Sequence, residues 1–243
     1  MAVGTLRSVR VEEGSRFIGV TFLYLFFALL LTLGVDIVAG AIMNNVLGSA
    51  LSLEEMTDAL QVYIIVMIAS AISLIILMIW IRLSVFRSGR GVLIPFILYS
   101  VAMGILLSSF NLFLPFSDIA LAFGITTGIF GVMAAIGYFG GEKVKWFGII
   151  GLGLLFGAII ISLVSLIWYF VSYETYSVMT TVVMGIMLIA VLFITAFDVY
   201  NMKRIAESGA ATPNLALYCA FNLYVDFIYI LIRVLAFIMR NRR

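Results

Sequence analysis

Charged residues fall in clusters along this chain, and the stretches between clusters contain none. Residues 17–35, 59–81, 91–117, 119–141, 146–173 and 175–197 hold no Asp, Glu, Lys or Arg. A membrane helix needs about 20 apolar residues, so most of these runs can cross a bilayer alone. Residues 208–225 are also free of charge, and the apolar run then continues through Asp226 and Arg233 to Met239. The pattern predicts an all-α integral membrane protein with seven transmembrane helices. They fall at about 17–39, 60–83, 92–114, 118–140, 146–170, 175–199 and 214–238. We expect one seven-helix domain over 17–239, preceded by a cytoplasmic segment, 1–16. The longest connections should be near 45–58 and 200–213.

Composition agrees. Of the 243 residues 65% are hydrophobic and 11% charged, against about 25% charged in a soluble domain. Histidine is absent, which removes His-based triads, Cys-His hydrolysis and His-ligated metal sites. The single cysteine, Cys219, rules out an intrachain disulfide and Cys-based zinc or iron–sulfur centres. A net charge of +2 gives no reason to expect nucleic acid. The first apolar run exceeds the roughly 7–15 residues of a signal-peptide core, and no small-x-small cleavage site stands out after it. It is expected to be retained as a helix.

Basic residues set the orientation. Arg7, Arg10, Arg16, Arg82, Arg87, Arg90, Lys143, Lys145, Lys203 and Arg204 all fall on one side of the predicted spans. The opposite connections carry Glu54, Glu55, Asp58, Asp118 and Glu174 and no base. Positive loops stay inside, so the N-terminus is expected in the cytoplasm. Seven crossings place Arg240, Arg242 and Arg243 outside, against that rule. The length of 214–239 favours crossing over re-entry.

A charge near the bilayer centre costs roughly 2.5–3.5 kcal/mol on insertion scales. Asp36, Asp198, Asp226 and Arg233 therefore stand out, with Arg82 at the cytoplasmic end of the second helix. Tyr218, Asn222, Asp226, Tyr229 and Arg233 are spaced by four, four, three and four residues. At about 100° per residue they fall within an arc of about 80°. This stripe cannot face lipid over its whole length, so the seventh helix is expected to be central. Either the stripe faces an aqueous interior, or it is a polar seam that glues helices together. Asp198 sits at the predicted end of the sixth helix, where an acid is ordinary. Asp226 lies about 12 residues, or roughly 18 Å, into the seventh. A carboxylate pair is permitted but not required. Such a pair would share a proton in acid, and separate or bind a cation at higher pH. Arg82 is placed to pair with one acid and block the route. Carboxylates with carbonyls and water also suit a hard cation such as calcium. The glycine pairs Gly124/Gly128 and Gly153/Gly157 read as helix-packing motifs.

Phe197-Asp198-Val199-Tyr200-Asn201-Met202-Lys203 and Leu223-Tyr224-Val225-Asp226-Phe227-Ile228, with Leu231-Ile232-Arg233 after it, resemble the last two helices of the Bax inhibitor family, in its bacterial branch. Thr127-Gly128-Ile129-Phe130-Gly131, Ala135-Ile136-Gly137-Tyr138-Phe139 and Ile79-Trp80-Ile81-Arg82 are similar to other stretches of that family. The resemblance implies six helices around a central seventh. It also implies a pH-sensitive calcium leak controlled by an aspartate pair, matching Asp198 and Asp226, and a helix-two arginine, matching Arg82. No cofactor is expected beyond calcium as a permeant ion. A second reading is a non-conducting regulator of another membrane protein, such as a membrane-bound protease, with the N-terminal segment as its handle. An enzyme is not expected. No lysine lies inside a span, and neither Asp198 nor Asp226 sits in a Gly-x-Gly-Asp setting.

Overall fold

The computed structural model describes the backbone of residues 2–49, 52–85, 91–209 and 211–241, and side chains from Glu13 onward within them. Its seven helices are α1 (Ala2–Ser49), α2 (Leu53–Ser84), α3 (Leu93–Leu107), α4 (Phe116–Phe139), α5 (Lys145–Val171), α6 (Tyr173–Ser208) and α7 (Pro213–Asn241). Short 3₁₀ turns follow α3 and precede α5. All seven are long and apolar enough to cross a membrane. In lipid no water satisfies backbone N–H and C=O groups, so uninterrupted helices are the spanning solution for such a chain. Large apolar side chains point outward: Ile65, Ile68, Ile72, Ile75 and Ile76 of α2 are all exposed.

The helices overrun the predicted boundaries. The stretch 45–58, expected as a long connection, is mostly helix, because α1 continues to Ser49 and α2 starts at Leu53. Ser52 caps α2 by accepting from the Glu55 N–H at 3.2 Å, in a Ser-x-x-Glu arrangement that favours a helix start. Glu54 and Glu55 complement the positive end of the helix. The second long connection also shrinks, since α6 runs to Ser208. Gly209 then turns the chain at φ +75°, a conformation that favours glycine. Thr212 accepts from the Leu215 N–H at 3.2 Å and Pro213 opens α7, a position where its missing N–H costs nothing.

The chain forms two compact units. One contains Met1–Ile119 with Gly209–Tyr224, the other Ala120–Ser208 with Val225–Arg243. In the first, Phe96 and Tyr99 of α3 pack edge-to-face on Phe221 and Tyr224, with ring centroids 5.0–6.0 Å apart. The fully buried Tyr224 hydroxyl meets Thr32 Oγ1 at 2.6 Å. In the second, α5 lies along α6, and Val144, Ala196 and Tyr200 form a buried cluster with Met133, Phe147 and Phe197 against it. Phe123 and Phe130 of α4 hold the Phe227 ring at 5.2 and 5.5 Å.

The glycine reading needs correction. A side chain at Gly124, Gly128, Gly153 or Gly157 would meet nothing within 4 Å. The close approaches are elsewhere. A Cβ at Gly137 would lie 2.3 Å from the Ala196 carbonyl oxygen, and one at Gly148 would lie 2.7 Å from the Phe197 ring. A four-residue spacing of small residues states that a helix can be approached, but not which of its faces is.

Half of the apolar stretch of α3 and of α7 is buried, against a third or less in the other helices. The residues of α7 belong to both units, and from Ala216 to Leu235 its apolar side chains are largely covered. Pro213–Arg240 counts 28 residues, a rise of about 42 Å, enough to cross a hydrocarbon core of about 30 Å.

Candidate functional site

The extension of α6 changes the standing of Asp198. It was expected at a helix end, but the helix continues ten residues further, to Ser208. Asp198 thus sits about 15 Å from that end, and Asp226 about 20 Å from the start of α7. The expected offset of many ångströms falls to about 5 Å. Side chains tilt towards their helix N-terminus, and α6 and α7 run in opposite directions across a short turn. Asp198 and Asp226 therefore lean towards each other.

Both belong to the second unit, and the charge of Asp198 acts on the Asp226 carboxyl. Asp226 is 8% exposed. The Thr195 hydroxyl, one turn before Asp198, is hydrogen-bonded to it, while the Asp226 Oδ2 is buried without a hydrogen-bond partner among the described residues. Asp198 is half-buried.

Thr195 adds a chemical constraint. Its hydroxyl lies 2.8 Å from the Val191 carbonyl oxygen, to which it donates. One hydroxyl proton cannot serve two acceptors at full strength. When Asp226 is protonated it can donate to Thr195 Oγ1 while Thr195 donates to Val191. When Asp226 is ionised, the Thr195 proton is drawn to the carboxylate and the carbonyl bond weakens.

The polar stripe of α7 is its accessible side. Tyr218, Asn222, Tyr229 and Arg233 are half-buried, whereas Leu217, Ala220, Phe221, Leu223, Tyr224, Phe227, Ile228, Ile230 and Leu231 are nearly all closed off. Asp226, at the edge of the arc, turns to the buried side. Towards the end of α7, Arg233 Nη2 donates to the Tyr229 hydroxyl at 2.8 Å and its guanidinium stacks 5.0 Å over that ring. Both groups also reach Met187 Sδ on α6, at 3.2 and 3.1 Å. Arg240 donates to Thr181. These contacts tie α7 to α6 beyond the acid pair, so this half of the stripe is a structural seam.

Arg82 belongs to the first unit and is exposed near the end of α2, with no ion pair among the described residues. Asp36, the other costly acid of that unit, is 4% exposed and accepts from Asn111 Nδ2 at 2.9 Å. The same amide lies 3.4 Å from the Asp36 carbonyl oxygen. Reasoning from sequence missed Asn111, Thr195 and Met187, among others. These are neutral side chains common in membrane helices, and charge counting passes over them. Arg87, Arg90, Arg242, Arg243 and the side chains of Arg7 and Arg10 lie outside the described residues.

This is a polytopic membrane protein built around an aspartate pair held between two adjoining helices. The family described as "Inhibitor of apoptosis-promoting Bax1" matches residues 14–243, nearly the whole chain, and the chain belongs to it. An "Inner membrane protein YbhL" of Escherichia coli K12 is 33% identical over 154 residues, which cover 61% of this chain and 62% of that protein. An "Uncharacterized protein" of Borreliella burgdorferi is 30% identical over 151 residues, 60% of this chain and 62% of the other. The matched stretch thus spans less than two thirds of these curated relatives. No solved structure matches the chain.

Proposed function

We propose that the protein is a pH-sensitive cation leak, with calcium the favoured ion, governed by a proton shared between Asp198 and Asp226. The observation that carries this reading is the pair itself. The charge of Asp198 acts on Asp226, which is almost fully buried and has an oxygen without a hydrogen-bond partner among the described residues. A polar seam that served only to join helices has no need of two acids side by side. Placing two acids together instead makes the local structure answer to proton concentration.

The donor set is all oxygen. Thr195, backbone carbonyls and water complete what a hard cation needs. Among the described residues no three His, Cys, Asp or Glu groups cluster to hold a metal, so a passing ion would be held weakly. That suits passage rather than storage. Chemistry on a substrate forms no part of this reading. The relatives' names support a place in a bacterial inner membrane, and the basic loops support a cytoplasmic N-terminus.

The test is calcium uptake into liposomes holding the purified protein, at about pH 6 and about pH 8, chosen to bracket a shared proton, for wild type and Asp226→Asn. The proposal expects protein-dependent flux that differs between the two conditions and a variant that has lost the difference. No flux above empty liposomes at either pH would sink it. The regulator of another membrane protein, such as a membrane-bound protease, would then be the surviving alternative.

A further inference from the structure

Thr126, in the middle of α4, differs from the other described helical threonines, each of which has a local partner; Thr175 bonds the Ser172 hydroxyl at 3.2 Å, and the rest use their own backbone. Thr21, Thr32, Thr57, Thr127, Thr180, Thr181 and Thr195 each return their hydroxyl to the carbonyl four residues earlier, at 2.7–2.9 Å. This back-bond is the easy way for a hydroxyl to be satisfied in a membrane helix. Thr126 is 0% exposed, yet its Oγ1 has no partner among the described residues. Its hydroxyl is not spent on the backbone of its own helix.

The packing of the second unit shows which way Thr126 faces. Phe123 and Phe130 turn towards α7, since both hold Phe227. Gly137 turns towards α6, since it lies against Ala196 and Val199. At about 100° per residue, Thr126 lies about 20° from Gly137 and about 40° from Phe130 around the helix. It lies between Phe123 and Phe130 along α4, about 16 Å in rise from Gly137, and so is on the α7-facing side at the level of Phe227. On α7, Phe227 faces α4 while its neighbour Asp226 faces Thr195 and Asp198 of α6. Next to Phe227, the buried Asp226 Oδ2 also has no hydrogen-bond partner among the described residues.

An unpaired hydroxyl and an unpaired carboxyl oxygen are complementary to one molecule. We infer that Thr126 is a third member of the site, joined to Asp226 by a single buried water that accepts from Thr126 Oγ1 and donates to Asp226 Oδ2. A bound water bridging buried polar groups is a regular structural element. Asp226 would then be held from two sides, by Thr195 on α6 and by the Thr126 water on α4. Thr126 is in this role a positioning residue: it fixes which way the carboxyl is turned and whether it faces Asp198. The inference rests on the proposed function for its importance, but not for its existence.

The experiment is infrared difference spectroscopy on the full-length protein in liposomes at acidic pH. Subtracting Asp226→Asn from wild type isolates the protonated Asp226 carboxyl band. In Thr126→Val, which keeps shape and removes the hydroxyl, the band should move to higher wavenumber as a hydrogen bond is lost, and Thr126→Ser should restore it. An unmoved band in a folded Thr126→Val overturns the inference. Exchange of wild type into ¹⁸O-water is a second arm that needs no Thr126 variant. A buried-water O–H band that shifts with the isotope and disappears in Asp226→Asn supports the site. Absence of any such band overturns it. Calcium flux separates this result from the gate: a moved band with flux insensitive to pH keeps the water and removes the gate. An unmoved band with pH-sensitive flux keeps the gate and removes the water.

Discussion

Two buried acids in this molecule have opposite surroundings. Asp36 of α1 is closed off, and a neutral amide, Asn111, is directed at it. Asn111 is itself pinned: a Cβ at Gly40 would lie 2.5 Å from its amide nitrogen. Asp226 of α7 is closed off too, but it faces a second acid and keeps one oxygen unsatisfied by protein. The first arrangement gives the carboxyl a partner in either charge state, because Asn offers both a donor and an acceptor. The second makes the surroundings depend on a proton. Burial of an acid thus does not by itself mark a functional charge. What its neighbour can offer decides the matter.

Substitutions can break or sharpen this contrast. The largest effect is expected at Gly137, against the Ala196 carbonyl two residues from Asp198. Gly137→Leu has no room and should force α4 away from α6, costing about 3 kcal/mol or more, at the upper end for overpacking. Thermal unfolding in detergent reads the loss, and an unchanged midpoint would mean that the close approach is not real. Next comes Asn111→Ala, which leaves Asp36 without its donor. The expected cost is about 1–3 kcal/mol, with the pH response of flux retained. If that response disappeared, the Asp36 region would belong to the gate and the contrast would fail. Smaller still is Tyr224→Phe. Thr32 Oγ1 keeps the Ala28 and Ser100 carbonyls at 2.9 and 3.1 Å, so the loss is confined to the bonds of the tyrosine hydroxyl, about 0.5–1.5 kcal/mol each. Tyr224 is two residues from Asp226, which makes the variant a close control: stability should fall slightly and the flux ratio should hold.

Seven spans were legible because lipid leaves the backbone no alternative to helix, and uninterrupted apolar runs mark them. Their ends were less legible. Asn44, Asn45, Lys203 and Arg204 look like loop residues, yet they continue α1 and α6, since polar side chains do not stop a helix once it leaves the hydrocarbon. That error had a functional cost, because it placed Asp198 at a helix end and far from Asp226 in depth. The aspartates themselves were found through the expense of a membrane charge. Thr195 and Thr126 were not, because a hydroxyl in a helix is usually satisfied by its own backbone, and only coordinates show which threonine is the exception. Gly124 and Gly153 misled for a related reason: spacing names a possible contact face, while tertiary packing chooses among several.

The central claim is that the pair, and not burial of acid in general, makes the protein answer to pH. The direct measurement is the ratio of calcium flux at about pH 6 to that at about pH 8, taken side by side for wild type, Asp226→Asn and Asp36→Asn. The account predicts a ratio well away from one in wild type, kept by Asp36→Asn and collapsed to about one by Asp226→Asn, since only the second variant removes a like-charged partner. Equal ratios in all three proteins, or a collapse confined to Asp36→Asn, would contradict it.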